Sequence, residues 1–398
     1  MKILVINAGS SSLKYQLFDM DTESVIAKGQ AEKIGLPEGL VKQSSGRGVI
    51  EYALPVPDHT TAMEYVVKAL TDAEKGVIRS LDEIDAIGHR VLHGGADFTK
   101  SEIVSEPIKQ AVRENFVLGP LHNPANLAGI EVCEKLMPGK PNIAVFDTAF
   151  HQTMPDYAFM YGVPYAYYEK YKLRRYGFHG TSHRFVSGEA LRRLGKGEGG
   201  HSKIIVCHLG NGSSLSAVVD GKCVDTSMGI TPLEGLIMGT RAGDIDPAAL
   251  QYIMSREGLS IEEMTDILNK KSGLLGVSGV TSDMRDLSAA AESGNERAKL
   301  AIDMMCYRIR KYIGSFMAAM NGADAIVFTG GIGENDASVR EKVLSGLSGL
   351  GVKLDAAKNK ATRGNGEITE EGSPVRALVV ATNEELAIAR DTKALCQA

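Results

Sequence analysis

The sequence predicts an α/β fold of two related halves facing a common cleft, and three observations carry that expectation. The first is Lys203–Val219 (KIIVCHLGNGSSLSAVV), an apolar strand, a Gly/Ser-rich turn and a second, alternating strand. Asn-Gly between two β-prone runs is a strong hairpin signal, because both turn positions need positive φ. The second is that the chain uses this pattern twice. Lys2–Gly9 (KILVINAG) matches Lys203–Gly210 (KIIVCHLG) at four of eight positions, and after a one-residue shift Ser11-Ser12-Leu13 matches Ser213-Ser214-Leu215. Two such copies half a chain apart imply halves that aim their turns at one ligand. The third is the strand 325–329 running into GGIGEN over 330–335 and then a helix from about Asp336. A glycine turn before a helix N-terminus lets backbone N–H groups approach a nucleotide closely. The segment is not G-x-G-x-x-G, and the chain has no G-x-x-x-x-G-K-[ST], so Rossmann and P-loop readings are disfavoured.

The remaining elements follow in order. Residues 2–31 read as three strands, with Lys14 just after the first turn. Residues 59–73 read as a helix, with Ala62, Val66, Ala69 and Leu70 at three-to-four spacing. A buried strand over 84–91 runs into His93-Gly94-Gly95, and Asn123-Pro124 starts a helix carrying Leu127, Ile130 and Val132 inward. A short strand over 142–146 ends on Asp147, and a tyrosine-rich stretch over 157–176 reads as a packed, partly exposed connection. Helices are expected over 183–194 and 295–320, the latter with Ala301, Met305, Ile309, Tyr312, Phe316 and Met320 on one stripe. Residues 346–372, rich in Gly, Lys and Ser, read as surface; 375–381 is a final strand, and Asn383-Glu384-Glu385 opens the last helix.

A chain of 398 residues exceeds one comfortable core, so two domains are expected: 1–150, with the helix 384–398 packing on it, and 151–383. A net charge of −5 without a basic block argues against nucleic acid as a partner. Five scattered cysteines without a C-x-x-C pair argue against disulfides and zinc and fit a reducing cytoplasm. No apolar run approaches the ~18 residues of a membrane span.

Nine motifs in order resemble the acetate kinase family over the full length. They are 7–14 (NAGSSSLK), 88–95 (GHRVLHGG), 121–124 (LHNP), 146–151 (FDTAFH) and 175–183 (RYGFHGTSH), then 208–212 (HLGNG), 239–244 (GTRAGD), 329–335 (TGGIGEN) and 382–384 (TNE). The resemblance implies two duplicated actin-like, ribonuclease H-like domains with the nucleotide and substrate cleft between them. The first domain is N-terminal; the second binds nucleotide and dimerises, so a homodimer is implied, with the helix 295–320 contributing. It further implies reversible, Mg²⁺-dependent transfer of the ATP γ-phosphoryl group to acetate, giving acetyl phosphate and ADP, with Mn²⁺ able to replace Mg²⁺. A propionate or butyrate kinase is the alternative. A non-catalytic ATP-driven switch of the same superfamily is a remote one, disfavoured by two arginines facing an acid pocket.

The chemistry agrees with this resemblance. A carboxylate acceptor with a pKa near ~4.3 is already ionised at neutral pH, so no strong base is needed. The difficulty is holding an anion in line against a polyanion, which calls for cations. A guanidinium fork grips carboxylate or phosphoryl oxygens at two points, which suits Arg90 and Arg241. The family pattern puts Arg90 on acetate and Arg241 on the transferring group, with His179 beside it and His122 nearby, and leaves His89 and His93 structural. It assigns Asn7 and Glu384 to Mg²⁺ with Asp147 close by. Asp147 is often given a proton-transfer role; because acetate has no proton to give, it is read here as orienting Mg²⁺-bound water and Arg241. The phosphates fall to Lys14, His208, Leu209, Gly210, Asn211 and Gly212, and the α-phosphate and ribose to Gly331, Ile332, Gly333, Glu334 and Asn335. Asp283, Met284 and Arg285 resemble the adenosine-contacting segment. The acyl pocket corresponds to Leu92, Leu121 and Pro232. Leu92 stands where the family pattern leads one to expect valine, and its extra methylene narrows the pocket in favour of acetate. Closure over the cleft is expected, because water must be excluded.

Overall fold

The structure, a computed structural model, describes residues 1–120, 122–196 and 201–397. It divides into two compact units, Met1–Phe150 with Asn383–Ala398, and His151–Thr382.

The first unit holds an eight-stranded sheet: β1 (Lys2–Ala8), β2 (Ser12–Asp19), β3 (Ser24–Glu32), β4 (Leu40–Ser45), β5 (Gly48–Ala53), β6 (Ala86–Val91), β7 (Glu102–Ile103) and β8 (Asn142–Phe146). Their spatial order is β5-β4-β3-β2-β1-β6-β8-β7. β1 pairs antiparallel with β2 and parallel with β6, which pairs parallel with β8. β1 is apolar at successive positions because both its faces are covered. Leu4 and Ile6 face a core with Met63 and Val66 of the helix His59–Leu70; Ile3 and Val5 face Ile388 and Ala389 of the C-terminal helix Glu384–Gln397. That helix lies so close to β6 that a Cβ on Gly88 would stand 2.4 Å from Thr392 Oγ1 and 2.6 Å from Ile388 Cγ2. Only glycine admits this approach.

The second unit holds β9 (Lys203–Leu209), β10 (Ser213–Val219), β11 (Lys222–Thr226), β12 (Ala325–Thr329), β13 (Gly366–Glu367) and β14 (Arg376–Val379), in the order β11-β10-β9-β12-β14-β13. β9 and β10 form the expected hairpin, with Leu209 opposite Ser213, but its three-residue turn 210–212 has no residue at positive φ, contrary to the Asn-Gly turn type expected. The series β11-β10-β9-β12-β14 repeats β3-β2-β1-β6-β8: three antiparallel strands, then two parallel to the central one. The fold is therefore α/β with a duplicated, ribonuclease H-like sheet order. The helix Glu296–Met320 is capped by Asn295, whose side chain accepts from Ala298 N, and buries Ala301, Met305, Ile309, Phe316 and Met320; Tyr312 is half-buried.

Two expectations are corrected. Gly330–Asn335 is not an open glycine turn but a short helix, entered directly from β12 through Thr329. Glu334 closes it, its Oε1 accepting from Gly330 N at 3.0 Å and Thr382 N at 3.2 Å. Residues 346–372 are not simply surface. They contribute β13 and the helix Ala356–Ala361, and bury Asn359, Ile368 and Thr369. All five cysteines are free thiols. No helix among the described residues is long and apolar enough to cross a membrane.

Candidate active site

In the first unit, three parallel strands deliver side chains to one sheet edge. Asn7 lies near the end of β1, Arg90 near the end of β6, and Asp147 follows β8 directly, its N–H bonded to Val91 O at 3.0 Å. The carboxyl ends of parallel strands are where open α/β sheets bind ligands. Arg90 donates from Nη2 to Asp147 Oδ2 at 2.6 Å and from Nε to both carboxylate oxygens at 3.1 and 3.2 Å. Its Nη1 reaches Asn7 Oδ1 at 3.4 Å. Asp147 is fully buried, whereas the Arg90 side chain keeps 20% of its exposure. Burial works against the Arg90 charge, but Asp147 outweighs it and holds the guanidinium above its ordinary range. Among the described residues, the hydrogen bonds of the Asp147 carboxylate run to Arg90, because the adjacent ends of β6 and β8 set these two side chains face to face.

Glu384 opens the C-terminal helix, whose first turn is capped by Asn383 Oδ1 accepting from Leu386 N at 3.0 Å. Burial raises the Glu384 carboxyl to about 7; Arg90 opposes the rise, Asp147 and Glu385 add to it, and Lys14 opposes it more weakly. Lys14 is exposed opposite Asn7 in the β1–β2 register and lines a shallow groove with Glu385. Leu92 is buried, its N–H held by Asn126 Oδ1 at 3.0 Å. His122 precedes the helix Asn123–Leu136, and Leu121 lies outside the described residues. His89 and His93 take structural parts: His89 Nε2 bonds Asn142 Oδ1 at 2.7 Å, and His93 Nδ1 accepts from Gly95 N at 3.0 Å.

In the second unit, His179 and Arg241 converge on the hairpin turn. A Cβ on Gly212 would meet Arg241 Nη1 and His179 Nε2, each at 3.4 Å. His179 is left-handed, φ +59°, at the start of the helix Gly180–Arg193; strain of this kind in a non-glycine residue concentrates at functional sites. Its ring stacks on His208 at 4.3 Å, and His151 Nε2 bonds the preceding Phe178 carbonyl at 3.0 Å. Arg241 sits on a turn held at both sides: Gly239 N bonds Asn211 O at 3.1 Å, and Leu274 N bonds Met238 O at 2.9 Å. Its Nη1 donates to Pro232 O at 3.2 Å and contacts Met238 Sδ at 3.7 Å. Among the described residues no carboxylate pairs with Arg241, and burial lowers the pKa of its guanidinium.

The same unit has a cavity of about 1140 Å³. Gly210 and Asn211 of the hairpin turn, Asp283, Met284 and Arg285, and Gly331, Ile332 and Asn335 all line it. Three other residues expected at the nucleotide also make structural contacts. Leu209 packs in the core, Glu334 closes its own helix, and the Gly333 carbonyl accepts from Arg340 Nη1 at 2.9 Å. Arg285 is paired with Asp283 at 2.7 Å. Sequence reasoning missed Lys360 and Arg363 on the cavity wall, and Arg340, which bonds the lining residue Asn359. Arg340 is wholly buried and spends its donors on Asn359 and backbone carbonyls.

The family model described as the acetokinase family matches residues 2–390. An acetate kinase of Methanosarcina acetivorans is 56% identical over 398 residues, covering 100% of this chain and 97% of that protein. Among solved structures, an acetate kinase of Porphyromonas gingivalis superposes with a TM-score of 0.95 at 46% identity, covering 99% of each chain. A propionate kinase of Francisella tularensis subsp. tularensis superposes with a TM-score of 0.93 at 43% identity, again covering 99% of each.

Proposed function

Because this chain belongs to the acetokinase family and is a kinase, we propose that it transfers the γ-phosphoryl group of ATP reversibly to acetate, giving acetyl phosphate and ADP. The observation that carries this reading is Arg241: a half-buried guanidinium without an acidic partner among the described residues, beside His179 and a glycine turn. Such a group favours an incoming anion. An acetate oxygen attacks the γ-phosphorus, the bond to the β–γ bridging oxygen breaks, and ADP leaves with that electron pair. The proton inventory does not change, so the chain needs donors and cations rather than a base.

In this reading Arg241 and His179 stabilise the transferring group. Gly210 to Gly212 hold the phosphates, Gly331 to Asn335 the α-phosphate and ribose, and Asp283 to Arg285 flank the adenosine. Arg90 holds the acetate carboxylate by the part of its fork that Asp147 leaves open; Leu92 and Pro232 border the methyl group. Asn7 and Glu384 would hold Mg²⁺, whose hard-oxygen preference they meet. The Glu384 carboxyl, raised to about 7 chiefly by burial, gains from a divalent ion that would compensate its desolvation. When bound, Mg²⁺ neutralises developing charge on the β- and γ-phosphate oxygens. Homodimer formation is proposed through the helix Glu296–Met320, whose Leu300, Met304 and Tyr307 are exposed; sedimentation of Tyr307→Lys would give monomer if so.

Incubation with ATP, Mg²⁺, hydroxylamine and a panel of short carboxylates tests the reading. Hydroxamate from acetate above all others supports it. ADP release without hydroxamate, or preference for propionate or butyrate, overturns it.

A further inference from the structure

One hydroxyl stands behind the His179 ring with a histidine on either side. Ser214 Oγ lies 2.9 Å from His179 Nδ1 and 2.7 Å from His183 Nε2, and both Ser214 and His183 are wholly buried. A hydroxyl has one proton, so it donates to one ring and accepts from the other. We propose that His183 and Ser214 are positioning residues that fix the tautomer of His179, so that His179 presents Nε2–H to the phosphoryl group.

The direction of the chain follows from what is satisfied at its far end. His183 Nδ1 has no hydrogen-bond partner among the described residues. Burial, with His151 and His208 close by, holds the His183 pKa well below its ordinary value, so the ring is neutral and carries one N–H. Placing that proton on Nδ1 would leave a buried donor unpaired, whereas a bare lone pair there is less costly. The proton therefore belongs on Nε2, which donates to Ser214 Oγ. The Ser214 proton then points at His179 Nδ1, which must accept it, and a neutral His179 carries its own proton on Nε2. That nitrogen shares the ground above Gly212 with Arg241 Nη1. Two donors thus converge where negative charge gathers, with no proton to be moved first. The opposite tautomer would aim a lone pair at the phosphoryl oxygens and repel them.

This inference rests on the reading of His179 as a phosphoryl-facing donor, but its primary readout is independent of activity. Full-length protein labelled with ¹⁵N-histidine is examined by long-range ¹H–¹⁵N correlation at neutral pH, His179 being assigned by the signals lost in His179→Gln. The expected pattern is the Nε2–H tautomer for both His183 and His179; an Nδ1–H tautomer at His179 overturns the proposal whatever the enzyme's substrate. This readout needs only the wild type and His179→Gln, so it decides the tautomer even if the Ser214 and His183 variants fail to fold. In Ser214→Ala the His179 signals are expected to lose the pure Nε2–H pattern, with kcat falling roughly tenfold, the scale of one hydrogen bond, and KM values within about twofold. His183→Gln, which keeps a donor for Ser214, is expected to hold kcat closer to wild type than His183→Leu. Unchanged His179 signals and unchanged kcat in Ser214→Ala would refute the relay.

Discussion

Replacing Asp147 by Asn keeps the shape of the Arg90 partner and removes its charge. Three Arg90 contacts, at 2.6, 3.1 and 3.2 Å, lose a carboxylate acceptor, and the new amide NH₂ opposes guanidinium N–H groups. Breaking a buried ion pair from one side costs about 3–5 kcal/mol. Because the Arg90 side chain retains 20% of its exposure, water recovers part of that, and about 2–3 kcal/mol is the expected loss. For a unit of this size that corresponds to a fall in Tm of roughly 5–10 °C. Calorimetry measures the fall, and kinetics across pH at saturating Mg²⁺ measure the second consequence. With Arg90 loosened, the acetate KM rises about tenfold or more while the pH profile keeps its shape. An unchanged Tm together with loss of one pH limb would instead make Asp147 a proton-transfer group and refute the reasoning.

Three further predictions rest on other sites. Buried His89 has its pKa pushed down to about 4 by desolvation, against 6.5 when unfolded, partly offset by its bond to Asn142. Between those values the unfolded chain binds a proton that the folded chain refuses, so stability falls as pH drops, by about 1.4 kcal/mol per unit. Urea titrations at pH 6.5 and 5 should show that slope flattened in His89→Gln; equal slopes in both proteins would count against it. A Cβ on Gly273, at φ +60°, would stand 2.1 Å from Met238 O and 2.7 Å from Arg241 O, whereas Gly258, at φ +68°, faces open space. Alanine at either site costs about 1–2 kcal/mol of backbone strain, but only Gly273→Ala should displace the Arg241 turn and cut kcat/KM at least tenfold. Leu92 should discriminate acetate from propionate by about 1–3 kcal/mol, so Leu92→Val narrows the kcat/KM ratio; an unchanged ratio excludes Leu92 from the acyl pocket.

Local chemistry made much of the fold legible. The β-prone runs around residues 210–212 marked the β9–β10 hairpin, although its turn holds no residue at positive φ and so is not the Asn-Gly turn type expected, and the apolar stripe marked the helix Glu296–Met320. The repeated strand–turn–strand announced the duplicated sheet order. Gly330–Asn335 misled because glycine reads as a turn, while the Thr329 entry and the Glu334 side chain closing back onto Gly330 N favour a helix. Residues 346–372 hid their burial because their partners are distant in sequence: Asn359 bonds Arg340, and Ile368 bonds Ala377 and joins the core of the second unit. At the site, motif residues pointed to individual side chains but not to their partners. Asp147 and Arg90 are 57 positions apart, and only the parallel pairing of β6 and β8 brings them together. The Ser214 bridge was equally out of reach, since it needs the Gly180–Arg193 helix laid against the β9–β10 hairpin.

The central claim is that guanidinium groups quench the repulsion between acetate and the transferring phosphoryl group. The most direct measurement is kcat/KM for acetyl phosphate formation in Arg90→Ala and Arg241→Ala, beside their Tm and ADP affinity. Losses on the order of 10³ to 10⁵ in each, with ADP affinity within a few-fold, are predicted. Losses below tenfold in folded protein would contradict the claim.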